Sequence, residues 1–160
     1  MRSYELLLTI GEIAVALVGF SGVVAVLGHR GRGNWSSEEL LQLRTLVEPG
    51  LVALFGSLLP GTLHLAFESE VVVWRLSSAV LTLLGIAGVV AFIARSRSAI
   101  TTTGQNVLLV LAILGVGAQL LVAGGVLVQY ELVFVLGLIL ALLVAAYNFV
   151  LLLFSSGRTG

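Results

Sequence analysis

Long apolar runs, separated by short polar segments, dominate the pattern of hydrophobic and polar positions along the chain. A helix of roughly 20 apolar residues crosses the hydrocarbon core of a bilayer, and five runs reach about that length. They cover residues 5–28, 47–67, 71–94, 106–128 and 132–154. The pattern predicts an all-α polytopic membrane bundle of about five transmembrane helices, forming a single integral membrane domain over residues 1–160.

Composition supports this interpretation and removes several kinds of chemistry. The chain is 59% hydrophobic and 10% charged, against about 25% charged in an ordinary soluble domain, so we expect the lipid bilayer to cover most of its surface. It contains no Cys, Lys or Asp, which excludes thiolate clusters and Schiff-base cofactors. Its two histidines, His29 and His64, each lie near the end of a run, and because these two runs cross in opposite directions we expect the histidines near opposite faces of the membrane. We therefore expect no metal site and no cofactor.

One sizeable polar segment, residues 29–46, separates the first two runs. Ser36 can cap a helix, and Glu39 completes a capping box three residues later. The sequence therefore predicts a short cytoplasmic or interfacial helix that begins near Ser37 and reaches Val47. The same segment could instead rise directly into the second span.

Arginines mark one side of the predicted bundle. By the positive-inside rule, their positions predict an N-terminus outside and a C-terminus in the cytoplasm, in the plasma membrane, which we expect to be the bacterial inner membrane. Among the arginines outside the runs, Arg2 alone lies on the other side. The arginines that support this orientation follow the first, third and fifth runs: Arg30, Arg32, Arg44, Arg95, Arg97 and Arg158.

A glutamate interrupts the first apolar run. A carboxylate near the bilayer centre costs about 2.5–3.5 kcal/mol on insertion scales, so Glu12 should not face lipid. At helical spacing it shares one face with residues that we take as candidates for lining a pore or binding an ion. These are Glu5, Thr9, Glu12, Ala16, Gly19, Val23, Val26 and Arg30. The layout, with carboxylates at one end and a basic residue at the other, resembles the pore helix of Orai calcium channels.

Glu12 has three interpretations. It can be neutralised within one subunit by Arg75 or His64, as a buried structural pair. It can form a ring with Glu12 of other subunits around a cation path, with Val23 and Val26 as a hydrophobic constriction. It can also serve proton relay in a small transporter.

Other polar residues favour structural roles. Arg75 follows Trp74 near the end of a span and can reach the surface or pair with a nearby glutamate. Gln119 and Asn148 fit interhelical hydrogen bonds worth about 1 kcal/mol each. Three further observations complete the set of structural candidates. Arg44 and Glu48 are spaced to pair along a helix, Gly137, Ala141 and Ala145 form a close-packing stripe, and Trp74, Tyr130 and Tyr147 suit an aromatic belt at the membrane surface.

The sequence leaves three function classes. The first is a small homo-oligomeric channel that conducts a small ion, possible because symmetry can create a path that five helices alone have little room for. The second is a proton-coupled transporter with a mid-membrane pocket near Glu12, Gln119 and Pro60. The third is a structural or accessory subunit. No catalytic motif or phosphate loop occurs, and no basic nucleic-acid patch, so we expect neither an enzyme nor a nucleic-acid partner.

The predicted orientation can be tested with reporter fusions. A reporter active only in the cytoplasm should give signal when fused after Gly160 and none when fused after Ser69, because the two positions lie on opposite sides of the predicted bundle. Activity would be measured in cells at matched expression. The reverse pattern of signals would contradict the orientation.

Overall fold

The computed structural model describes residues 2–29, 37–96 and 102–156 of the chain. These residues form five α-helices and no strand. All five are long and apolar enough to cross a membrane, which fits a membrane protein with transmembrane helices. Their bounds are α1, Arg2–His29; α2, Ser37–His64; α3, Glu70–Ser96; α4, Thr103–Ala123; and α5, Tyr130–Ser156.

The predicted short helix is not a separate element in the described part of the chain. The segment begins at Ser37, as the sequence predicts, but it forms the first turns of α2, which continues to His64. Its side chains Leu41, Thr45 and Leu46 are buried in the bundle, so this segment extends the packed side of α2 instead of lying along an interface. The expected capping residue Ser36 lies outside the described residues.

Local signals set the ends of α4. The side-chain oxygen of Thr102 accepts a hydrogen bond from the backbone N–H of Gln105 at 3.2 Å, and the Gln105 amide oxygen accepts one from the backbone N–H of Thr102 at 2.9 Å. This reciprocal capping box starts the helix. At the other end the chain turns at Gly124 and Gly125, and the φ of 76° at Gly125 favours glycine. α4 therefore ends inside the apolar run 106–128.

α5 is the central helix of the bundle. Among the described residues it contacts all four other helices, whereas α1 contacts only α2 and α5, and α4 contacts only α3 and α5. The small residues of α5 face this packing: Ala145 is fully buried and lies beside Gly50 of α2. α1 and α4 consequently lie on opposite flanks. We call the end of the bundle at which α1 begins the N-terminal end.

Aromatic side chains fill the core near the N-terminal end. Trp74 is 3% exposed, and its ring lies edge-on to Phe134 with centroids 5.7 Å apart. The Tyr4 ring lies 6.2 Å from Trp74 and 6.4 Å from His64. Trp74 is therefore a core residue and not a surface belt residue, because the α3 face that carries it packs against α5.

The central position of α5 predicts an asymmetric response to mutation along that helix. Leu138→Ala should lower the free energy of unfolding by about 2 kcal/mol, because it removes the packing of this side chain against Gly56 of α2 and leaves a cavity. Leu138 is 0% exposed. Leu136, on the same helix and 53% exposed, supplies the control. Thermal unfolding in one detergent would measure both, and equal losses for the two alanine variants would contradict the central role of α5.

Candidate functional site

The predicted polar face of α1 lies on the outside of the bundle. Each of its residues whose side chain is described is exposed: Glu5, Thr9, Glu12, Ala16, Gly19 and Val23. The side chain of Val26 and the whole of Arg30 lie outside the described part of the chain. The face therefore exists as one exposed stripe over the first twenty or so residues of α1.

The opposite side of α1 makes the contacts with the bundle. Leu7, Ile10 and Ala14 are buried at 1%, 3% and 0% exposure. A side chain at Gly11 would meet the Ser57 hydroxyl of α2, so the two helices lie close together there. At 3.6 residues per turn, the direction of Glu12 is nearly opposite to the centre of this buried stripe. Glu12 consequently points directly away from α2 and α5.

Glu12 lies well inside the apolar length of α1. The candidate span covers Tyr4–Val23, and Glu12 comes eight positions after Tyr4, which corresponds to about 12 Å of helix. No side-chain ion pair within 4.0 Å joins Glu12 to another described residue. An exposed carboxylate at this depth of an apolar helix needs a polar or charged environment from outside the subunit if the helix spans a membrane.

The two partners considered for Glu12 within one subunit are engaged elsewhere. Arg75 donates from Nε to the backbone carbonyl of Ala123 at 3.2 Å, at the end of α4. The His64 ring lies beside Tyr4. The structure therefore does not bring Arg75 or His64 together with Glu12.

Thr9 adds an oxygen to the exposed stripe. Its hydroxyl donates to the backbone carbonyl of Glu5 at 3.0 Å, so the lone pairs of its oxygen remain as acceptors. Carboxylate and hydroxyl oxygens are ligands that suit hard cations. Large apolar side chains flank the stripe on both sides: Leu8 and Val15 on one, Leu6, Ile13 and Phe20 on the other, all exposed. The stripe can therefore offer oxygen ligands while its flanks pack against apolar surfaces.

A second polar feature links α2 and α3. Arg95 donates from both terminal nitrogens to the two carboxylate oxygens of Glu48, each at 2.8 Å. The Arg95 side chain is 29% exposed and that of Glu48 is 43% exposed. Bidentate geometry makes this a strong form of ion pair, although its partial exposure weakens it.

The sequence indicated Arg44, not Arg95, as the partner of Glu48. Arg44 is exposed on α2. Counted from the connection between α2 and α3, Glu48 is 16 residues before His64 and Arg95 is 25 residues after Glu70. Arg95 is therefore farther from the connection than Glu48, by about 13 Å of helix. Simple matching of depths in the hairpin therefore could not have identified the pair.

A cavity of about 410 Å³ lies between α2, α3, α4 and α5. Small residues form much of its wall, including Gly85 and Gly88 of α3 and Ala112 of α4. The Glu48 and Arg95 pair also lies in the wall. Gln119, expected near a mid-membrane pocket, belongs to this wall, whereas neither Glu12 nor Pro60 does. The stripe on α1 and the cavity are therefore separate features.

Amide side chains connect α4 with α5 along this cavity. Gln105 donates from Nε2 to Asn148 Oδ1 at 2.8 Å, and Asn148 donates from Nδ2 to the Val144 carbonyl at 2.9 Å. Gln119 donates from Nε2 to the carbonyl of Val133 at 2.7 Å. Its Oε1 is buried and accepts no hydrogen bond from any described residue. Such a buried acceptor costs about 1–3 kcal/mol.

Comparison with known proteins gives this chain no relative. No family model, no curated protein and no solved structure matches it. What the stripe and the cavity can do therefore follows from their own geometry.

The ion pair between Glu48 and Arg95 predicts a measurable coupling. In a double-mutant cycle with Glu48→Gln and Arg95→Gln, the coupling should be about 0.5–1 kcal/mol, the range of well-formed but partly exposed pairs. The same cycle with Arg44→Gln in place of Arg95→Gln should give a coupling near zero. Free energies of unfolding would be measured in one detergent at one ionic strength. Coupling of Glu48 to Arg44 alone would contradict the observed pairing.

Proposed function

We propose that the protein is a small homo-oligomeric membrane channel that conducts cations along a path lined by α1, with Glu12 as a ring of carboxylates. The observation that carries this proposal is the direction of Glu12, which points away from its own bundle within an apolar helix. Under this proposal the five helices span the plasma membrane, with the N-terminus outside and the C-terminus in the cytoplasm.

Symmetry accounts for the location of the stripe. A cyclic oligomer repeats one surface around an axis, so a stripe that points outward from each subunit becomes the inner wall of a ring. Glu5 and Glu12 then face the water and cations of the path instead of lipid, which removes the cost of exposing a carboxylate to hydrocarbon. A ring of carboxylates attracts cations and repels anions.

The rest of the stripe suits conduction. Past Glu12, the face continues with Ala16 and Gly19, which leave the path wide, and then reaches Val23. A ring of valines forms a hydrophobic constriction of the kind that gates by excluding water. The flanking apolar side chains of α1 supply the contacts between neighbouring subunits.

A small transporter is the second candidate, favoured by the cavity between α2, α3, α4 and α5. Its only charged wall residues, within the described part of the chain, are Glu48 and Arg95. They pair with each other, and Glu12 is not in the wall. Proton coupling through this cavity would have to use a paired glutamate, so the α1 stripe gives the channel the stronger support.

Replacement of the Glu12 charge tests the channel. Glu12→Gln should form the same oligomer as the wild type but lower its cation-over-anion selectivity about tenfold, because the ring loses its charge and keeps its shape. Both proteins would be reconstituted in liposomes, with selectivity taken from reversal potentials in salt gradients. Oligomer mass would be compared with the 16.8 kDa chain by light scattering.

The matched control is Glu68→Gln, which removes an exposed carboxylate from the connection between α2 and α3 and should leave selectivity unchanged. A wild type that passes no ions at any tested potential or pH would overturn the proposal. So would a monomeric wild type, or a Glu12→Gln protein that fails to assemble, since the latter makes Glu12 a structural residue.

A further inference from the structure

The first half of α3, residues 70–83, is packed directly against its neighbours. The Trp74 ring lies edge-on to a phenylalanine ring of α5, and Arg75 donates to a backbone carbonyl at the end of α4. One turn beyond these contacts, the Leu81 side chain lies against α5 at Gly137. This half is therefore fixed on both α4 and α5.

The second half of α3, residues 84–96, borders the cavity instead. Its inward side lines the cavity from Leu84 to Arg95, which corresponds to about 17 Å of helix. Within this length, a Cβ at Gly88 would meet nothing within 4 Å. A surface that borders a void lacks partner atoms and loses their van der Waals attraction. The second half of α3 is therefore held by less packing than the first.

The ion pair of Glu48 and Arg95 links this loosely packed half to α2. Arg95 lies in the last turn of α3, so the pair acts far from the packed first half, at the end of the bundle opposite the N-terminal end. Both side chains are partly exposed, so water can solvate the two charges when the pair separates. Such a pair contributes little free energy despite its bidentate geometry, and it can therefore open and close.

α4 is held to α5 at the same end and does not share this freedom. The hydroxyls of Thr102 and Tyr147 lie 3.2 Å apart, and Gln105 donates to Asn148 at 2.8 Å. Near the N-terminal end, Gln119 again joins α4 to α5. Since α4 is bonded to α5 at both ends, the element that is free to move is the second half of α3.

We propose that the pair of Glu48 and Arg95 is a latch that holds the second half of α3 closed over the cavity. When the pair separates, this half swings away from α2, while the first half stays packed on α4 and α5. The pivot lies near Gly85, where α3 approaches Val116 of α4 closely. The motion opens the cavity toward the end of the bundle opposite the N-terminal end. The latch goes beyond the proposed channel, because no residue of α1 lines the cavity.

Single cysteines can report this motion, because the native chain contains no Cys. Thr45→Cys places a thiol in the cavity wall, one turn from Glu48, at a residue that is 9% exposed. Thr82→Cys is the matched control: Thr82 is 3% exposed, lies in the first half of α3 and is outside the cavity wall. Both hydroxyls donate to the carbonyl four residues earlier at 2.7 Å. The rate of reaction with a neutral maleimide would be measured in nanodiscs.

Arg95→Gln should raise the reaction rate of Thr45→Cys about two- to fivefold, the change in open population that corresponds to a pair worth about 0.5–1 kcal/mol. Loss of the arginine charge alone would slow the reaction, because a nearby cation favours the reactive thiolate. Glu48→Gln should give the same increase, and both changes together no further increase, because the latch is already open. The rate of Thr82→Cys should stay unchanged, and Arg44→Gln should raise neither rate.

Three results would overturn the latch. An unchanged rate for Thr45→Cys in the Arg95→Gln protein would show that the pair does not restrain α3. An equal increase for Thr82→Cys would show that the whole bundle loosens. Effects of Glu48→Gln and Arg95→Gln that multiply in the double variant would show that the two side chains act separately.

Discussion

The close approach of α2 to α5 is the constraint on which the bundle depends. A side chain at Gly56 would collide with Leu138 of α5, and one at Gly50 would collide with Val18 of α1 and touch Ala145 of α5. If the helices span a membrane, there is little hydrophobic driving force between them, so van der Waals contact at such small residues supplies much of the association. Because α2 and α5 meet this closely, α1 can pack against both on one flank while α3 and α4 complete the other.

This arrangement separates the two polar features of the protein. The carboxylate stripe lies on the outer side of α1, and the amide groups and the ion pair lie around the cavity on the other flank. A change in one feature can therefore leave the other intact. Within the described residues, a change on the cavity flank would reach α1 only through α2 and α5, which contact both flanks.

The sequence predicted the five helices well because each apolar run is long and is bounded by polar or glycine residues. It failed where local and tertiary signals competed. The polar segment before Val47 looked like a separate helix, yet Leu41 and Leu46 are buried and the helix continues through Pro49.

Helical spacing also predicted which residues share a face with Glu12, since spacing alone determines a face. It could not predict whether that face turns inward or outward, because this depends on which side of α1 packs best. It also could not predict the partner of Glu48. Arg95 lies farther from the connection between α2 and α3 than Glu48 does, so equal distances from that connection do not identify the pair. Of the pocket residues that the sequence suggested, only Gln119 lines the cavity, because its wall combines residues from four helices that are distant in the chain.

The central helix is also the last of the five in the chain. α5 contacts every other helix in the described structure, whereas α1, the first to be synthesised, contacts only α2 and α5. During synthesis, the first four helices can form two loosely connected pairs, α1 with α2 and α3 with α4, whose inner faces stay open until α5 arrives. Tertiary packing is therefore completed only once α5 has been made, and before then Gly56 and Gln119, which meet Leu138 and Val133 of α5, lack their native cover.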